Sequence, residues 1–111
     1  MAVYAKTADP QGLVDNIKDY INKGKIDTWK YDSDGDFTHS ATQWNQEAWF
    51  RPKVESDRVV FGILGNTKST MTKELYAIYH GRFIEMLLAH FDDVVTLVWA
   101  SSQKTSYDIF K

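Results

Sequence analysis

The sequence predicts an α+β domain, a mostly antiparallel twisted sheet packed against two helices, and three observations predict it. Apolar residues recur at helical spacing from Leu13 to Ile21 and again from Leu75 to Phe91; the stretch between them alternates with a period of two; turn residues punctuate that stretch. The expected order is α-β-β-β(-β)-α-β in a single domain over residues 1–111, with any flexibility at the ends, 1–8 and 101–111.

Asp9-Pro10 starts the first helix, because an Asp oxygen caps free amides and proline tolerates the first helical position. Leu13, Val14, Ile17, Tyr20 and Ile21 form its apolar face, and Gly24 offers a left-handed stop, so the helix runs from about Pro10 to Lys23. Ile26 to Tyr31 alternates, and Asp32-Ser33-Asp34-Gly35-Asp36 then turns the chain into Phe37 as a hairpin. Between Phe37 and Phe50, Trp44, Ala48 and Phe50 share one parity while Trp49 and Arg51 share the other, which places a strand here that Pro52 ends. After the turn at Glu55-Ser56-Asp57, Val59 to Leu64 is apolar on both faces, as a central strand is.

A second helix is expected over Met71 to Phe91, with Leu75, Ile78, Tyr79, Phe83, Met86 and Ala89 in one stripe. Ala77, Ile84, Leu88 and Phe91 add apolar surface nearly opposite, so this helix is covered on two sides, by helix one, the C-terminal tail or another chain. Val94 to Ala100 reads as a second inner strand, Ser101 to Ser106 as a polar loop, and Tyr107 to Phe110 as a segment able to dock.

Composition narrows the function classes. With 13 basic and 15 acidic residues the net charge is −2, so no global field draws nucleic acid or anionic lipid. The chain has no cysteine, which excludes disulfides, thiolate metal sites and thiol catalysis and suits a reducing compartment. The first residues lack a secretory pattern and no apolar run approaches the ~20 residues that cross a bilayer, so a cytoplasmic address without membrane contact is expected.

Gly62 to Thr70 places a glycine loop and Lys-Ser-Thr between a strand and a helix, the arrangement that cradles phosphate, with Gly65, Asn66, Lys68, Ser69 and Thr70 as anion-binding candidates. The spacing G-x-x-x-x-G-K-[ST] is nevertheless broken, because Thr67 stands where the second glycine belongs, and strand exit plus helix cap explains the same residues. The Asp32 to Asp36 turn has its glycine fourth rather than sixth and Gln43 at the twelfth position, so it fails as an EF-hand, and no metal or cofactor is expected. His39, His80 and His90 form no catalytic motif, and His80 and Glu85 lie on different sides of the second helix; no catalytic residue is assigned.

Arg82 falls within the apolar stripe and needs either a carboxylate such as Glu85 or a ligand. Trp29, Trp44, Trp49 and Trp99 are many for this length; Trp49-Phe50-Arg51-Pro52-Lys53 sets rings beside cations, which suits core, a protein interface or stacking with single-stranded nucleic acid. The α-βββ-α-β order is broadly similar to that of type III secretion chaperones, which are small, acidic and dimeric, and is equally compatible with toxin-neutralising immunity proteins; the analogy carries no residues across. The expectation is a noncatalytic protein-binding or regulatory module that self-associates as a homodimer, using Trp49, Arg51, Arg82, Ile84 and Leu88. The alternative is a small-ligand or phosphate-binding domain, or a minor enzyme, built on the Gly62 to Thr70 loop.

Overall fold

Asp9 opens the first helix as its sequence predicts: in the computed structural model, which describes residues 1–111, its carboxylate accepts the Gly12 N–H at 3.1 Å. This helix, α1 (Pro10–Asn22), follows a strand, β1 (Val3–Thr7), which is additional to the expected order of elements. Four strands come next, β2 (Trp29–Tyr31), β3 (Phe37–His39), β4 (Ala48–Val54) and β5 (Arg58–Gly65). The second helix, α2 (Lys73–Phe91), is capped by Thr72, whose hydroxyl accepts the Leu75 N–H at 3.1 Å, and β6 (Val95–Ala100) follows it.

The six strands form one curled sheet in the order β2-β3-β4-β5-β1-β6, and each named strand pair is antiparallel. Val3 and Ala5, Ala48 and Phe50, and Val59, Phe61 and Ile63 alternate onto one face, where both helices pack. Leu13, Val14 and Ile17 of α1 and Leu75, Tyr79, Phe83, Met86, Leu87 and Phe91 of α2 complete the core. Phe83 is its hub: its ring centroid lies 4.7 Å from those of Phe50 and Phe61 and 4.9 Å from Trp29.

Three differences from the sequence reading bear on function. First, Pro52 lies inside β4, opposite Phe61 of β5, instead of ending the strand. Because β3 meets β4 in only one register, Phe37 with Phe50, β4 is an open edge at Pro52 and tolerates the missing donor. Second, β1 takes the inner position beside β5, so Val95–Ala100, read as an inner strand, is the outer strand of the sheet. Third, Phe91 is buried against Tyr20 of α1, at 4.9 Å between ring centroids, while Arg82 lies outside the buried arc of α2. That arc centres on Phe83, rotated from the stripe that the sequence suggested.

The C-terminal segment closes the helix-free face. β1 leaves β5 after the Val3–Phe61 pair, and Ile109 bonds along the vacated edge, giving its N–H to the Ile63 carbonyl at 2.9 Å and accepting the Gly65 N–H at 2.8 Å. Upstream, the Tyr107 carbonyl passes so close to Gly62 that a β-carbon there would lie 2.1 Å from its oxygen. Only glycine permits this crossing. No helix is long and apolar enough to cross a membrane.

Candidate interaction surface

The outer edge of β6 carries the two most exposed large apolar side chains of β6 and α2. Leu97 is 56% exposed and Leu88 of α2 51%, and both border the outer groove of this strand, whereas exposed Val94 lies at its start beside Thr7, Asp9 and α1. The register with β1 puts Leu97 opposite Lys6 and Trp99 opposite Tyr4, on the helix-free face, whereas Val98 opposes buried Ala5 on the helix side. Leu88 and Asp92 of α2 and Val95 to Val98 of β6 therefore border a groove of about 380 Å³ that wraps the strand. No charged residue occurs from Val95 to Ala100, and the outer backbone groups of the strand have no protein partner strand.

The other end of the sheet is managed differently. Its edge strand β2 has three residues and presents Lys30 to solvent, a length and a charge that discourage pairing. On β6 the only such device is a register shift near Thr96, opposite the Lys6–Thr7 step, and the part from Leu97 to Ala100 stays regular.

The residues singled out in the sequence fall in four places. Leu88 lies in the β6 groove and half-buried Ile84 packs against the core from the same helix. Trp49 and Arg51 project from the helix-free face, where Arg51 makes a two-pronged ion pair with buried Asp36, at 3.0 and 2.8 Å. That pair, together with the Asp34 and Asp36 N–H groups on Asp32 Oδ1, ties up the acidic turn. Arg82 is surface-exposed with its guanidinium 3.6 Å from the Glu85 carboxylate, on the flank of α2 facing β2 and β3.

Gly65, Asn66, Lys68, Ser69 and Thr70 form the link from β5 to α2. Gly65 packs under Phe110, Asn66 accepts the Lys68 N–H at 2.8 Å, and Lys68, Ser69 and Thr70 are exposed, leaving the helix cap to Thr72. No family model, curated protein or solved structure matches this chain.

Two buried imidazoles give the molecule a pH dependence. Burial holds His39 below the ordinary histidine range, with Arg82 acting in the same sense and Glu85 against it; burial likewise depresses His80, opposed by the Tyr76 carbonyl 2.5 Å from its Nδ1. An unfolded histidine takes up its proton near pH ~6.5 and these folded ones only at lower pH. Stability is thus complete above that value and falls as the pH drops below it. Thermal melts are expected to shift down between about pH 7.5 and about pH 5.5, a window above ordinary carboxylate titration, and His80→Gln is expected to flatten the shift. A melting temperature that holds or rises toward pH 5.5 would contradict this.

Proposed function

We propose that this chain is a noncatalytic protein-binding module whose occupant at β6 is a second copy of itself. The observation that carries the proposal is the unpaired, uncharged outer edge of β6 with exposed apolar side chains on both of its faces. Two copies related by a two-fold axis would pair these edges antiparallel, continuing the sheet and matching each strand's outward donors to the other's acceptors. Charge favours this occupant, since a strand without ionised side chains meets its own copy with no like charges opposed.

Strand pairing alone is too small for a stable interface. A standard one takes ~800 Å² per partner, about an eighth of the 6224 Å² surface of this chain. Leu88 on the helix side and Leu97 on the other extend the contact beyond the backbone. Apolar flanks with a hydrogen-bonded centre are how added strands gain both affinity and register.

Sedimentation equilibrium tests the proposal. The wild-type chain is expected to approach twice its monomer mass on the order of 100 µM, and Leu97→Lys, a change at an exposed position, is expected to remain monomeric with its fold intact. A wild-type monomer throughout that range would overturn it.

A further inference from the structure

On the opposite flank of α2, a cleft of about 190 Å³ opens between the β2–β3 hairpin and the helix. Half-buried Trp44 supplies its accessible apolar wall and the margin of buried Trp29 its floor, with Thr28, His39, Arg82 and Glu85 around them. The floor is fixed, and so is the backbone that carries Trp44. Trp29 is buried and meets His39, Tyr79 and Phe83 edge to face, at 5.0, 5.4 and 4.9 Å between centroids, and the Trp44 carbonyl accepts the Tyr79 hydroxyl at 2.5 Å.

The polar groups are less settled. His39 Nδ1 accepts the Ala41 N–H at 3.1 Å, so the neutral ring carries its proton on Nε2. That Nε2–H finds no acceptor in the protein, yet it is not among the side-chain atoms sealed from solvent without a partner. Arg82 is held only by Glu85 at 3.6 Å, too long for a hydrogen bond, and both side chains are more than half exposed. The cleft thus offers a fixed N–H and a guanidinium fork with donors to spare, against one carboxylate.

We infer that this cleft is a binding site for a small planar aromatic carboxylate, its ring against Trp44 and the margin of Trp29 and its carboxylate on the Arg82 guanidinium and the His39 Nε2–H. The guanidinium fork matches a carboxylate in two parallel hydrogen bonds, and the indole of Trp44 favours a flat ring over an aliphatic chain. The volume is below the ~300 Å³ at which drug-sized pockets begin, which limits the ligand to one ring. Glu85 is the competitor for Arg82, so it weakens the site rather than forming it. The site is separate from β6 and does not rest on self-association.

Amide and indole chemical-shift mapping of the full chain with benzoate, benzamide and benzylamine tests the inference. Benzoate is expected to give saturable shifts at the Trp29 and Trp44 indole N–H and the Ala41 amide, with a dissociation constant on the order of 10 mM or tighter. Benzamide and benzylamine are expected to bind roughly 10-fold more weakly, Arg82→Gln to lose a similar factor for benzoate, and Glu85→Gln to gain affinity. No saturable shift at these residues, benzylamine binding as well as benzoate, or Arg82→Gln leaving benzoate affinity unchanged would each overturn it. Arg82→Gln is expected to leave the sedimentation behaviour at β6 untouched, so failure of one site is read separately from failure of the other.

Discussion

Phe83→Ala is expected to lower the unfolding free energy by about 3–5 kcal/mol. The ring is fully buried and joins α2 to four strands of the sheet, with the centroids of Phe50 and Phe61 at 4.7 Å, Trp29 at 4.9 Å and Phe37 at 6.0 Å. These neighbours are aromatic and pinned by one another, so they collapse poorly into the space vacated. A domain of this kind has ~5–15 kcal/mol in total, which brings the variant close to unfolding at room temperature. Urea titration followed by tryptophan fluorescence measures the loss; a value below about 1 kcal/mol would mean that α2 does not seat on the sheet through this residue.

Asp108→Ala is expected to cost about 3 kcal/mol, for a different reason. The buried Asp108 carboxylate accepts the Ile63 N–H at 2.9 Å through one oxygen and the Thr105 N–H and hydroxyl at 2.7 and 2.9 Å through the other. Hydrogen bonds to a charged group contribute roughly 1.5–3 kcal/mol, and the alanine leaves an unpaired N–H inside the sheet. Asp108→Asn keeps an acceptor for Ile63 but turns a donor toward Thr105, so an intermediate loss is expected. Urea titration gives the magnitudes, and amide exchange at Ile63 gives the location: faster exchange there in Asp108→Ala, with a smaller change in Asp108→Asn, is the expected result, and unchanged exchange in Asp108→Ala would place the defect elsewhere.

How much of this was legible in the sequence depends on how local each signal is. α1 could be read almost to the residue because its cap, its proline and its apolar face lie within one stretch, and the β2–β3 hairpin because its turn is five consecutive residues. β1 could not, although Val3, Ala5 and Thr7 do alternate with Tyr4 and Lys6. Five residues are a weak signal, and the partners that make them a strand, Phe61 and Ala100 opposite Val3, are distant in the chain. Missing β1 also misplaced β6, since an apolar strand reads the same in the middle of a sheet as at its margin.

The site followed the same rule. Leu88 was visible as apolar surface in excess on α2, but its meaning came from β6 lying beside it at a free edge. Arg82 was visible as a cation near an apolar stripe; that Trp29, Trp44 and His39 would meet it follows from the fold of the 40–47 turn, which has no periodicity to read. Gly62 drew attention as part of a phosphate-like loop, whereas its role is to admit the Tyr107 carbonyl. A glycine's spacing announces a close approach without saying what approaches.

Hydrogen exchange of the β6 amides that do not donate to β1, followed across protein concentration, tests the edge pairing most directly. Slower exchange at these amides as concentration rises, lost in Leu97→Lys, is the predicted result. Exchange at the rate of open strands at every concentration would contradict it.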